Sequence, residues 1–176
     1  MQHGRRVNFN IGQGKDETMP GMWPLGHTAH PWLYFVPHQA DVTAALQQLR
    51  QQEFRAGRWF DGTTGPFPNF AADQPPKADS ADDALEMMFE VGTRSILDMV
   101  GVSQRRRVAY VAPVADQQLL RVFGTTQPTH EQVEQQGGLV SGGGLFDRFP
   151  TGCGMYFTVY RDGAPAELCF FGYSYE

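Results

Sequence analysis

Residues 155–171 constrain the fold of this chain more than any other segment. Two runs rich in aromatic and β-branched side chains meet at Arg161-Asp162-Gly163-Ala164. Asp-Gly supplies the two positive-φ positions of a type I′ turn, whose twist matches that of paired strands, so a two-residue hairpin is expected here. Counting back from the turn, Arg161 faces Ala164, Val159 faces Ala166, Phe157 faces Leu168 and Met155 faces Phe170. Facing residues share one side of the pleat, which makes that side apolar. The other side carries Tyr156, Thr158, Tyr160, Glu167, Cys169, Phe171, Tyr173 and Tyr175 and is amphipathic. On this register Cys153 and Cys169 point to opposite faces, so no disulfide is expected between them.

The rest of the chain organises around that hairpin. Its 176 residues suit one domain with a hydrophobic core that needs no disulfide or metal staple. Residues 1–30 mix Gly, Pro, Asn, Gln and His without a period of two or 3.6 and read as a flexible arm. Residues 31–176 read as a single α+β domain: an antiparallel sheet ending in the C-terminal hairpin, with helices packed on one face. A first strand, Trp32–Val36, closes at Pro37. A helix follows, capped by Asp41, with Val42, Ala45, Leu46 and Leu49 as its inward stripe and Gln47, Gln48, Arg50 and Gln51 turned to solvent. Residues 57–79, broken by Gly and Pro but holding Trp59, Phe60, Phe67 and Phe70, read as a long loop tacked onto the core. A second helix starts at Ser80, with Ala81, Ala84, Leu85, Met88 and Phe89 inward. Val108–Val111 reads as a strand, and short helices are expected over 117–123 and 130–136. Thr129 and Gln132 form a capping box for the latter, and Gly137 stops it.

Several chemistries lack their residue patterns. The glycines between 137 and 154 have neither the lysine and hydroxyl of a phosphate loop nor a strand before and a helix after them, so they read as a connector or lid. His27 and His30 are three apart with His38 beyond the first strand, yet no spacing supplies a third ligand, and neither metal nor cofactor is expected. Val140-Ser141-Gly142 lacks the glycine of a nucleophile elbow. Arg105-Arg106-Arg107 reads as a solvated turn before a strand, and a net charge of −5 argues against nucleic acid as a partner. No stretch has the apolar length of a membrane span, and the N-terminus lacks the apolar core of a secretory signal, so a cytoplasmic protein without membrane association is expected.

One charge pattern stands out. Asp79, Asp83, Glu86 and Glu90 recur at four, three and four residues, which lines them along one flank of the second helix, and Asp82 sits at its edge. No Lys or Arg interrupts the row before Arg94. Two classes of function follow. In the first, the chain is a non-enzymatic binding module, an inhibitor or immunity-like protein, that meets a basic protein through this row. In the second, it is a small enzyme with a pocket under the 137–154 connection, using Cys153, a histidine (His130 or His38) and Arg148.

Overall fold

The computed structural model describes residues 5–6, 31–59, 78–87, 92–137, 144 and 150–174. A six-stranded sheet in the order β1-β2-β6-β5-β4-β3 forms its middle layer. The strands are β1 (Arg5–Arg6), β2 (Pro31–Pro37), β3 (Gly101–Val102), β4 (Tyr110–Pro113), β5 (Gly154–Arg161) and β6 (Ala164–Tyr173). The helices are α1 (Val42–Arg55), α2 (Ala81–Met87), α3 (Asp116–Phe123) and α4 (His130–Gly137), with a 3₁₀ turn at Ile96–Asp98. Among the described residues no helix is long and apolar enough to cross a membrane.

The α+β class and the antiparallel pairing of β5 with β6 stand, but the sheet is mixed rather than antiparallel. β3–β4 and β4–β5 are parallel, whereas β1–β2, β2–β6 and β5–β6 are antiparallel. The parallel step from β4 to β5 requires a crossover, and α3 and α4 lie in that connection. Helices therefore cover both faces of the sheet, not one. Ala45, Leu46 and Leu49 of α1, Ala84 of α2, and Ile96, Leu97 and Met99 pack on Trp32, Tyr34, Leu168 and Phe170. On the opposite side Leu119 of α3 and Val133 of α4 pack on Leu33, Phe35, Phe157, Cys169 and Phe171. Consecutive buried residues in β2 (Trp32 to Val36) and β6 (Leu168 to Phe171) are what two covered faces require.

The hairpin turns at Asp162 (φ 52°) and Gly163 (φ 76°), with Arg161 opposite Ala164. The register then departs from the expected one. A bulge between Val159 and Tyr160 leaves Ala166 without a partner on β5, so Val159 faces Glu167, Phe157 faces Cys169 and Met155 faces Phe171. The extra residue is held from outside the hairpin: Tyr160 N–H donates to Pro128 O (2.9 Å), and Ala166 O accepts from His38 N–H (3.0 Å). A one-residue slip moves every later side chain to the other face. Cys153 and Cys169 thus share a face and one apolar cluster, contrary to the expectation. Both are free thiols even so. Gly154 faces Gly172 and Phe157 faces Cys169, so the two cysteines are about 13 Å apart along the strands at ~3.3 Å per residue.

Local capping follows the sequence closely. Asp41 accepts from Ala44 N–H (3.0 Å), Ser80 Oγ accepts from Asp83 N–H (3.1 Å), and Thr129 N–H donates to Gln132 Oε1 (2.9 Å). Arg50 departs from its solvent-facing expectation. It is buried, donating to Asp82 Oδ1 (2.8 Å), Gln47 Oε1 (3.1 Å) and Leu97 O (3.3 Å), and so ties α1 to α2 and to the 3₁₀ turn.

Candidate functional site

The acidic row divides on the folded chain. Asp83 and Glu86 lie three apart on exposed positions of α2, and Asp79, also exposed, precedes the Ser80 cap. Asp82, exposed like its neighbours, differs from them in serving as the counter-charge of buried Arg50 (2.8 Å). No ion pair or side-chain hydrogen bond engages Asp79, Asp83 or Glu86 among the described residues. Glu90 lies outside the described residues, as do Arg148, His27 and His30.

The thiol constellation is not assembled. Cys153 precedes β5 at the end of the sheet where β6 finishes, its carbonyl accepting from Tyr173 N–H (3.2 Å). Burial pushes its thiol up, against the opposing charge of Arg106, which disfavours the thiolate a nucleophile needs. His130 sits toward the other end of the sheet. Its Nδ1 meets Glu167 Oε2 (2.7 Å), its Nε2 lies 3.3 Å from Glu134 Oε1, and its ring stacks on Phe35 at 3.9 Å. Glu167 faces Val159, six residues from Cys153, so about 20 Å of strand separates the two groups at ~3.3 Å per residue. His38 is exposed just past β2, bonded through its backbone to Ala166, again at the hairpin end. Because the two carboxylates address opposite nitrogens of His130, they do not converge on a common point. Among the described residues no cluster of three metal-ligating side chains exists.

The densest buried polar cluster was not singled out by sequence reasoning. Gly92–Met99 is almost wholly buried, and Thr93, Ser95, Asp98 and Ser174 lie at its heart. Asp98 Oδ1 accepts from Thr93 N–H (2.6 Å) and from the Thr93 hydroxyl (2.7 Å). With its one proton given to Asp98, Thr93 Oγ1 accepts from Ser95 Oγ (3.0 Å), and Ser95 also caps the 3₁₀ turn by accepting from Leu97 N–H (3.2 Å). Two left-handed residues, Gly92 (φ 68°) and Arg94 (φ 53°), flank Thr93. At Arg94 that conformation costs on the order of 1 kcal/mol and is held by the surrounding bonds.

Burial raises the Asp98 carboxyl above its ordinary range, outweighing the hydrogen bonds from Thr93, the nearby Ser174 hydroxyl and the Arg50 charge. Ser174 faces the carboxyl closely enough to matter electrostatically, yet Asp98 Oδ2 and Ser174 Oγ have no partner in hydrogen-bonding geometry. Burial thus favours the neutral form of this carboxyl relative to an exposed aspartate. The cluster joins the 92–99 segment to the end of β6, and its closure to solvent keeps it from meeting a substrate in this conformation. The only sequence signal for it was an ionisable residue among Ile96, Leu97 and Met99 without helical period.

No protein-family model matches the chain, and no similar curated protein or solved structure was found.

Proposed function

We propose that this protein is a non-enzymatic binding module of the cytoplasm, of the inhibitor or immunity type, which docks a basic protein partner through the carboxylates of the α2 region. The observation that carries this reading is the division of labour among the acids. Asp82 neutralises Arg50 and fixes α2 on the core, while Asp79, Asp83 and Glu86 stand exposed without a counter-charge among the described residues. Like charges three or four residues apart on a helix repel by a few tenths of a kcal/mol per pair, and a cationic partner relieves that cost on binding. The bonding of Arg50 also makes the acidic surface a rigid one, since α2 is held to α1 and to the 3₁₀ turn at once. Support also comes from the candidates for catalysis, since Cys153 and His130 stand at opposite ends of the sheet.

The test is kinetic. A partner captured from the source cells is immobilised, and association of the wild type is compared with that of the Asp79→Asn/Asp83→Asn/Glu86→Gln variant at about 50 and about 500 mM salt. The variant should melt as the wild type does, because exposed charges contribute little to folding, and should associate about tenfold more slowly at low salt. Equal rates with equal salt dependence would remove the α2 surface from the interface.

A further inference from the structure

The arginine run at 105–107 does not behave as a plain solvated turn. The loop between β3 and β4 carries Arg105, Arg106 and Arg107 exposed, and no acidic residue lies in it. Two of the three side chains are positioned. Arg106 Nη2 donates to Gln118 Oε1 on α3 (3.2 Å), and the Arg107 guanidinium lies 4.4 Å from the centre of the Tyr110 ring. That ring in turn covers Gly101 of the edge strand, where a Cβ would stand 3.2 Å from Tyr110 Cε1. Gly101, Tyr110 and Arg107 therefore form a layered platform that holds a guanidinium over the aromatic ring. No side-chain hydrogen bond or ion pair engages Arg105 or Arg107 among the described residues. Arg121, exposed, follows Gln118 by three residues and extends the positive surface along the same flank of α3.

Beside these cations lie two of the three large apolar side chains exposed among the described residues, Val100 (37%) and Val108 (48%). Their backbones meet at the β3–β4 edge, where Val100 N–H donates to the carbonyl of Ala109, the residue after Val108 (2.7 Å).

From this juxtaposition we infer that the β3–β4 edge is a second interaction surface and that its occupant is an acidic polypeptide segment. Carboxylates on that segment pair with the forks of Arg105 and Arg107, and an apolar side chain rests on Val100 and Val108. Charge complementarity selects an acidic occupant. The apolar pair and the chain's net charge of −5 favour a peptide over a nucleic acid, whose phosphate track offers nothing to valines and is repelled by the rest of the molecule. The inference is independent of the α2 reading, since it uses other residues and a partner of opposite sign.

The test titrates the isotopically labelled full chain with a twelve-residue peptide alternating Glu and Leu, with its Gln-for-Glu counterpart, and with a twelve-nucleotide single-stranded oligonucleotide. The Glu peptide should shift the amide signals of Gly101, residues 103–110 and Gln118, and bind at least about tenfold more tightly than the Gln peptide, the step expected when desolvated charge pairs are lost. Arg105→Gln, at a side chain that no hydrogen bond or ion pair engages among the described residues, should weaken binding severalfold. Arg107→Lys conserves charge but loses the guanidinium fork held over Tyr110, and should weaken it as well, whereas Asp83→Asn on α2 should not. Equal affinity for the Gln peptide, full binding by Arg107→Lys, shifts centred elsewhere, or tighter binding of the oligonucleotide would each overturn the inference.

Discussion

Replacing Gly172 by alanine tests how the two halves of the sheet are locked together. Gly172 of β6 faces both Gly154 of β5 and Trp32 of β2, and the indole lies across the glycine pair. A Cβ on Gly172 would stand 2.5 Å from Trp32 Cζ2 and 2.8 Å from Cη2, about 1 Å inside ordinary carbon contact, and would also strike the Cys153 carbonyl oxygen. The indole is 1% exposed and has nowhere to swing. The carbonyl is backbone, bonded to Tyr173 N–H, next to the Gly152 N–H to Tyr173 O bond (3.0 Å). Overpacking of this kind costs about 1–3 kcal/mol, and disturbing one of those bonds adds about 1 kcal/mol. The expected destabilisation is therefore about 2–4 kcal/mol, or roughly 5–15 °C in Tm for a chain of this size. At Gly154 a Cβ would meet Val111 Cγ1, Met99 Sδ and Trp32 Cη2 but no backbone atom, so Gly154→Ala should cost less. Urea melts of both variants and of Trp32→Leu/Gly172→Ala measure this. The double variant should lose less than the sum of its singles, because the indole clash is gone while the backbone clash stays. A cost for Gly172→Ala under about 0.5 kcal/mol, or strict additivity with Trp32→Leu, would refute the packing.

Phe157→Ala should cost about 3–5 kcal/mol in the same melts, since the ring is buried between Phe123 (5.7 Å) and Phe171 (5.9 Å), and a loss below about 1 kcal/mol would contradict that burial. Asp98 makes stability fall with rising pH. Its raised carboxyl keeps a proton in the folded state that the unfolded chain has released, so its contribution is complete below about pH 4 and is lost as pH climbs through the folded-state value. Melts of Asp98→Asn between pH 4 and 8 should lack that slope, and a slope equal to the wild type's would assign it to other groups. Thiol counting on denatured, unreduced protein should find both Cys153 and Cys169, with Cys169 the slower to react in the native state because burial holds its thiol well above the ordinary range.

What the sequence determined by itself was local. The Asp162-Gly163 turn, the Asp41 cap, the Thr129/Gln132 box, the first strand, and the inward Ala45, Leu46 and Leu49 of α1 and Ala81 and Ala84 of α2 rest on interactions within a few residues, and a single chain displays those directly, whereas Met88 and Phe89 of the expected α2 stripe lie outside the described residues. The exposed acids of α2 were legible for the same reason. Tertiary structure decided everything that depended on residues distant in the chain. The bulge at Val159/Tyr160 coincides with backbone bonds to Pro128 and His38 from outside the hairpin, and it reversed which face each later side chain occupies. β3 is two residues long, too short to show a period, and the parallel β4–β5 pairing depends on a crossover that no local pattern announces. Arg50 reads as solvated from its helical position and is buried because Asp82, Gln47 and Leu97 meet it there. Thr93 and Ser174 are eighty-one positions apart, and only folding brings both to the Asp98 carboxyl, where burial outweighs their hydrogen bonding and raises the carboxyl above its ordinary range.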